Sequence, residues 1–197
     1  MVNIILASAS PRRQELLRQI KLPFEVKVSN VNEDLAINEK FEIWVQKLAL
    51  LKAQAVAETI EKGVVIGADT IVVKDNRILG KPGSRGEAAD MLNFLSGSIH
   101  QVMTGIALID PEKERNFTDV EITEVRFKEL TSQEITAYIA SGEPMDKAGA
   151  YGIQGLGALL VEGIKGCYFN VVGLPLNRLA RGLKVMDVEV WHDFTGL

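Results

Sequence analysis

Two arginines lie where a helix should begin. Residues 8–13 read Ser-Ala-Ser-Pro-Arg-Arg and follow a short apolar run, with Ser10 as a cap and Pro11 at the first helical position. Positive side chains oppose the dipole in the first turn of a helix, and a bound anion would reverse that penalty. The segment therefore predicts either a phosphate site that includes Arg12 and Arg13 or a solvated basic pair beside an ordinary helix start.

Two acidic positions follow predicted strands. Asp69 comes after the apolar run 64–66 and is flanked by small residues, and Glu33 lies in the polar segment 32–34. Carboxylates at strand ends can hold a divalent metal or orient water, although most loop aspartates only cap turns. The residues alone leave both interpretations open: two metal ligands, or a capped turn and a solvated acidic loop.

Further polar candidates have ordinary alternatives as well. Lys81 stands in a Gly-Lys-Pro-Gly turn, from which a lysine can reach a phosphate as a point charge. Lys52 interrupts an apolar helical stretch, so it either extends to solvent, the more common outcome, or faces a site. Thr70 is a strand residue or a ligand contact. Gln154 lies in the glycine-rich segment 143–157, which has no period and predicts a loop, and its amide could read the edge of a base because it both donates and accepts.

Composition excludes several classes of protein. The chain has 197 residues, and 22 Lys and Arg against 26 Asp and Glu give a net charge of −4, which argues against nucleic-acid and membrane-surface binding. A lone Cys167 permits no internal disulfide, and with His100 and His192 it forms no zinc pattern of usual spacing. No run approaches the ~18 apolar residues of a membrane span. We therefore expect a globular cytoplasmic protein.

The remaining sequence predicts a mixed α/β chain that positions these residues. A two-residue turn is expected at Asp75-Asn76, and capping boxes at Ser84 with Glu87 and at Thr131 with Glu134. We place a substrate cleft between two lobes of one bent sheet. Strands are predicted at 3–7, 24–28, 64–66, 70–73, 77–79, 101–109, 116–127, 158–162 and 168–172, and helices at 11–20, 40–60, 84–97, 131–142 and 175–183.

Six motifs occur in an order and spacing that resemble one family. They are ILASASPRRQELL, GADTIV, GKP, HQVMTG, EPMDKAGAYGIQG and NVVGLPL, and together they extend over about residues 3–183. This pattern resembles the Maf family, the so-called septum formation inhibitors, and within it the subfamily acting on dTTP and UTP. The resemblance implies one nucleotide pyrophosphatase domain over 1–197. It also implies a fold like that of inosine triphosphate pyrophosphatases, an elongated mixed sheet flanked by helices with a cleft between two lobes.

The resemblance also implies an activity and roles for particular residues. Such enzymes hydrolyse a nucleoside triphosphate to the monophosphate and pyrophosphate, by attack of water on the α-phosphate. Asp69 matches the proton acceptor, and the hypothesis is that Glu33 and Asp69 hold Mg²⁺, with Mn²⁺ as the alternative ion. These two roles for Asp69 are in tension. Arg12, Thr70 and Gln154 match positions tied to base choice, and Ser8, Arg13, Glu33, Lys52 and Lys81 match other positions of the cleft.

A second function class stays open at this stage. The family name favours a nucleotide-responsive regulator of septum formation that acts through a protein partner. A regulator needs no intact catalytic carboxylate, whereas this chain keeps Asp69, Glu33 and Lys81 together. Small nucleotide hydrolases are often homodimers, and we expect the same here.

Overall fold

A computed structural model of the chain describes residues 2–29, 31 and 39–191. The predicted metal ligand Glu33 and the acidic segment 32–34 lie outside these described residues, as does His192. Within them the chain forms a mixed α/β fold, as the sequence predicts. The strands are β1 Ile4–Leu6, β2 Glu25–Val26, β3 Val64–Lys74, β4 Arg77–Leu79, β5 Ile99–Asp110, β6 Arg115–Phe127 and β7 Val161–Lys165. The α-helices are α1 Pro11–Gln19, α2 Phe41–Ala57, α3 Arg85–Leu95, α4 Ser132–Ala140, α5 Tyr168–Val172 and α6 Leu176–Val185.

The seven strands belong to one mixed sheet. Their order is β2-β1-β3-β5-β6-β7, and β4 pairs with β3 beside this path. β1 runs parallel to both β2 and β3, which is typical of strands joined by helical crossovers. β3–β4 and β6–β7 are antiparallel.

The chain divides into two compact units. The first unit contains Met1–Asp69, Thr104–Glu121 and Gly173–Leu197, and the second contains Thr70–Met103 and Ile122–Val172. β3, β5 and β6 therefore contribute residues to both units. The predicted cleft between two lobes stays a prediction.

One cluster in the core of the first unit is built mainly from small residues. Ala49 and Ala53 on α2 pack against Ile5 of β1, Val65 of β3 and Ala107 of β5, all of them nearly inaccessible to solvent. Alanine and glycine at such a contact allow a helix to approach a sheet closely, because no long side chain separates the two backbones.

The core of the second unit is richer in aromatic and branched side chains. Leu92 and Leu95 of α3 and Tyr138 of α4 pack into one buried cluster with Phe127 of β6 and with Tyr151. The rings of Phe127 and Tyr151 meet edge to face, with centroids 4.6 Å apart, an arrangement that favours aromatic pairs beyond their buried area.

Helix starts agree with the sequence, although the bonds that cap them differ. α4 begins with a complete capping box between Thr131 and Glu134. Ser84 accepts from the Glu87 backbone N–H, but the Glu87 carboxylate accepts from Gly83 and not from Ser84, so only half of that predicted box forms. Ser10 stands at the start of α1 without a side-chain cap bond.

The hairpin between β3 and β4 confirms the predicted turn. Asp75 and Asn76 have φ values of 47° and 59°, as a type I′ turn requires at its two central positions. Asn and Asp tolerate this left-handed region better than most residues.

Three predictions of secondary structure are wrong. The predicted strands 64–66 and 70–73 are one continuous strand, so residues 67–69 are strand interior and not a strand end. Tyr168–Val172, a predicted strand, is the short helix α5. The predicted loop 143–157 folds instead into 3₁₀ turns at Glu143–Asp146, Ala148–Ala150 and Gly155–Leu160, and the last of these replaces the beginning of the predicted strand 158–162.

None of the described helices combines the length and apolar character needed to cross a membrane. The expectations of a cytoplasmic location and of a homodimer stay predictions.

Candidate functional site

A buried ion pair joins α2 and β3 in the first unit. Lys52 Nζ lies 2.5 Å from Asp69 Oδ1, and each of these residues is only 8% exposed. Lys52 therefore does not extend to solvent, which corrects the more common interpretation of a lysine in an apolar helix. Asp69 does not cap a turn either, because it lies within a strand. A carboxylate and an ammonium this far from water interact more strongly than at the surface, but each loses its hydration.

Gly67, two residues before Asp69, allows α2 to approach β3 this closely. A Cβ added at Gly67 would lie 2.2 Å from the Ala49 carbonyl oxygen and 2.8 Å from the Ala53 nitrogen. Any larger residue would push the helix from the strand and lengthen the Lys52–Asp69 contact. Gly67 is thus small because α2 packs against it. A small residue before Asp69 resembles a turn in the sequence although it lies within a strand.

The predicted anion segment at the start of α1 is tied into the first unit by Arg13. Arg13 donates from Nη1 to Ser8 Oγ at 3.1 Å and from Nε to the Gly173 carbonyl oxygen at 2.9 Å. The Ser8 hydroxyl also accepts from the Ser10 backbone N–H at 3.3 Å. Ser8 and Arg13 are therefore brought together, and Arg12, next to them in the first turn of α1, is half-buried.

The other candidates lie in the second unit. Thr70, the residue after Asp69 in β3, is half-buried, and Lys81 is exposed after β4. The Gly80 carbonyl oxygen accepts a hydrogen bond from the Gly149 backbone N–H at 2.9 Å. This bond connects the turn that contains Lys81 to the glycine-rich segment that contains Gln154.

Gln154 is held on a well-packed loop while its own side chain is exposed. Tyr151 and Ile153, which precede it, are buried. The Gly152 backbone N–H donates to the Tyr138 hydroxyl at 3.2 Å. Burial raises the pKa of Tyr138 to about 12, and the negative charges of Glu143 and Asp146 contribute to this rise, so the phenol stays neutral at physiological pH.

A buried histidine is hydrogen-bonded to Tyr151 in the same loop. His100 Nε2 and the Tyr151 hydroxyl lie 2.7 Å apart, and both residues are shielded from solvent. Burial, with the charge of Lys74 as a second cause, lowers the pKa of His100 to about 4, and burial raises the pKa of Tyr151. Both side chains are consequently neutral at pH 7, and their bond fixes the position of Tyr151.

The predicted metal site stays a prediction. The described residues contain no group of three or more His, Cys, Asp and Glu side chains that could hold a metal ion. Among them, Asp69 is the predicted ligand, and it supplies carboxylate oxygen, the ligand type that Mg²⁺ prefers. Mg²⁺ needs no complete protein cage, because one or two carboxylates usually bind it together with water and substrate phosphates.

Sequence reasoning missed the residues that support Gln154. Glu143, Tyr138 and His100 precede Gln154 by 11, 16 and 54 residues, and the sequence offers no spacing that would connect them with it.

Comparison with known proteins gives consistent findings. The family model described as "Maf-like protein" matches residues 3–186. A protein of Acetivibrio thermocellus is 57% identical over 197 residues, covering 96% of this chain and 98% of that protein. One from a Bacillus cereus strain is 53% identical over 192 residues, covering 98% of this chain and 100% of that protein. Both relatives carry the name dTTP/UTP pyrophosphatase.

A solved structure supports the fold. A HAM1 protein from Coxiella burnetii superposes with a TM-score of 0.50 at 15% sequence identity, covering 94% of this chain and 100% of that one. At this identity the likeness concerns the fold alone, a mixed sheet flanked by helices.

Proposed function

This chain belongs to the Maf family, and from that premise we propose that it hydrolyses dTTP and UTP to the nucleoside monophosphate and pyrophosphate. The names of close relatives support the substrates. The observation that carries the proposal is the buried pair of Lys52 and Asp69, which holds a carboxylate in one position inside the first unit.

Asp69 is the proposed proton acceptor. The oxygen of a water molecule attacks the α-phosphorus and forms a new P–O bond, its proton passes to the Asp69 carboxylate, and the bond to the β-phosphate oxygen breaks. Lys52 holds Oδ1 at 2.5 Å, which restricts the rotation of the carboxylate. The pyrophosphate leaves with the electron pair of the broken bond.

Cationic side chains compensate the charge of the substrate in this proposal. A nucleoside triphosphate carries about four negative charges, and the protein itself has a net charge of −4, so local cations must overcome a general repulsion. Arg12, Arg13 and Lys81 are the side chains assigned to this role. The contacts of Arg13 with Ser8 and Gly173 fix the direction of its guanidinium before substrate arrives, which reduces the entropy lost on binding.

A divalent ion is assigned to the same site in this proposal. Asp69, together with Glu33 outside the described residues, would hold Mg²⁺ or Mn²⁺. When bound, such an ion neutralises charge on the phosphates and acts as a Lewis acid.

Base choice is assigned to Arg12, Thr70 and Gln154. Uracil and thymine present a carbonyl acceptor at O4 beside an N3–H donor, and an amide such as that of Gln154 can satisfy both. Cytosine reverses this pattern, and a site that leaves buried polar groups unpaired with the wrong base rejects it strongly. Thr70 adds a hydroxyl that can donate or accept.

A nucleotide panel tests the proposal. dTTP, UTP, CTP, GTP, ATP, ITP and 7-methyl-GTP are incubated with the protein and Mg²⁺, and phosphate is measured with and without added inorganic pyrophosphatase. We expect signal for dTTP and UTP only when pyrophosphatase is added, and none after chelation of the metal. Phosphate released without added pyrophosphatase would mean cleavage at the γ-phosphate. If folded protein hydrolyses none of the nucleotides, a regulatory function is favoured.

A further inference from the structure

The side chain of Gln154 is not used by the turn that it begins. Gln154 precedes the 3₁₀ turn Gly155–Leu160, at the position where a side chain often caps the first free N–H groups. Gln154 makes no such cap bond, and the structure records no hydrogen bond from its exposed amide to any described residue. The amide is therefore available to a ligand, and another group must satisfy the turn.

Glu143 caps this turn from a distant part of the chain. Its Oε1 accepts from the Leu156 backbone N–H at 3.1 Å, and its Oε2 accepts from the Gly157 backbone N–H at 3.4 Å. Hydrogen bonds to an ionised acceptor are stronger than those between neutral groups. One half-buried carboxylate thus fixes the backbone directly after Gln154.

Gly155 makes the approach of this carboxylate feasible. Its φ is +63°, and a Cβ at this position would lie 2.8 Å from Glu143 Oε1 and 3.0 Å from Oε2. A side chain would be strained in this conformation and would also displace the cap. The cap formed by Glu143 therefore requires a glycine at position 155.

The residues before Gln154 are fixed independently. The Tyr151 hydroxyl is bonded to buried His100, and the Gly152 N–H to Tyr138. With Glu143 holding the other side, both ends of the segment around Gln154 are set, and the exposed amide extends from a backbone with little freedom. Loss of the Glu143 cap would free the turn, and the Gln154 side chain stands at the cap position from which it could replace Glu143.

We propose that Glu143 is a positioning residue for nucleobase recognition: by capping the turn 155–160, it keeps the Gln154 amide directed toward the base instead of toward its own backbone. The inference rests on the proposed function and adds to it a residue that touches neither phosphate nor base. Its effect passes entirely through Gln154.

Steady-state kinetics with UTP and CTP test this inference on the full chain. The variants are Glu143→Ala, Glu143→Gln, Gln154→Ala and the double variant Glu143→Ala/Gln154→Ala. We expect Glu143→Ala to lower the kcat/KM ratio of UTP over CTP by about tenfold, mainly through KM for UTP, with kcat changed less than about threefold. Glu143→Gln keeps one acceptor oxygen and should fall between wild type and alanine. In the Gln154→Ala background, removal of Glu143 should have no further effect on the ratio.

A matched control exists in the same unit. Glu134 also accepts from a backbone N–H at a helix start, that of Thr131 at 2.8 Å. Glu134→Ala should lower stability without altering the UTP/CTP ratio. If Glu143→Ala does not fold, Gly155→Ala, which displaces the same carboxylate, replaces it in the comparison.

Each outcome has a defined meaning. Unchanged selectivity in Glu143→Ala, or an equal loss in the presence and absence of Gln154, overturns the inference while the proposed function stands. Wild-type protein that hydrolyses neither nucleotide overturns the proposed function and the inference with it. A loss of selectivity that disappears in the Gln154→Ala background supports the inference.

Discussion

The first unit keeps the proposed catalytic carboxylate inside its core, whereas the second unit keeps the amide proposed for base recognition at its surface. Asp69 is 8% exposed and is paired with Lys52, on regular helix and strand. Gln154 is exposed, and its neighbours are held by scattered side chains of the segments around it. A proton acceptor gains from a fixed, poorly hydrated position, while a group that reads a base needs access and a rigid backbone beneath it.

Replacing Asp69 should break the first half of this comparison with the largest effect. Asp69→Asn keeps the size of the side chain but removes the proposed proton acceptor, and we expect turnover to fall about 10²–10⁴-fold while nucleotide binding persists. The measurement is kcat for UTP together with affinity for a non-hydrolysable analogue. Asp110→Asn is the matched control, since Asp110 is another buried carboxylate of the same unit and accepts a backbone hydrogen bond from Lys113. Full turnover in Asp69→Asn would exclude the assigned role.

Removing the partner of Asp69 should have the next largest effect. Lys52→Met leaves a carboxylate buried without its ammonium, and we expect the free energy of unfolding to fall by about 3–5 kcal/mol, measured by urea denaturation. Lys52→Met/Asp69→Asn should recover part of this loss, because no buried charge is left alone. The exposed pair of Lys47 and Glu39 is the control, where Lys47→Met should cost less than about 1 kcal/mol. Equal losses for the two lysines would contradict the description of a buried pair.

Some features of the site and the fold can be predicted from the sequence, and others cannot. Thr131 and Glu134 predict one helix start, because their cap bonds act on neighbouring backbone, and Pro11 predicts another, because its fixed φ suits the first helical position. The burial of Lys52 depends on a partner 17 residues away in the chain, and no local pattern reports it. Local composition alone therefore favours an exposed lysine.

Reliance on local propensity also explains the errors in the predicted secondary structure. Gly67 looks like a turn residue, yet it belongs to a strand because α2 packs on it. Residues 168–172 favour a strand by composition, but they form a helix within the second unit. The segment 143–157 has no period, and its last 3₁₀ turn, Gly155–Leu160, is capped by the Glu143 carboxylate, which precedes that turn by 12 residues. In each of these cases tertiary contacts override the local signal.

A pH series should sharpen the second half of the comparison. Burial lowers the pKa of His100 from 6.5 to about 4, so between these values the unfolded chain binds a proton that the folded chain does not. Stability from this group is complete above pH 6.5 and is lost as pH falls toward 4, by about 3 kcal/mol in all. His100→Gln should flatten the dependence of unfolding free energy on pH within this window. Parallel curves for wild type and variant would show that His100 titrates normally.

Two glycines should show the smallest contrast. Gly67→Ala forces a Cβ against the backbone of α2 and should cost about 1–3 kcal/mol. Gly80, in the second unit, has no positive φ, and a Cβ added there would meet nothing within 4 Å. The free energy of unfolding of Gly80→Ala, measured by thermal denaturation, should therefore stay within about 0.5 kcal/mol of wild type. A larger loss at Gly80 than at Gly67 would reverse the expected order.

The alternation of the two units along the chain has a consequence for biosynthesis. The first unit needs three separate stretches, and one of them, which includes α6, is made after the whole second unit. Leu179 and Leu183 of α6 are completely buried, so the core of the first unit stays incomplete on the ribosome until this helix emerges. We therefore expect truncated chains that lack α6 to aggregate, and neither unit to be obtained by expressing one continuous half of the gene.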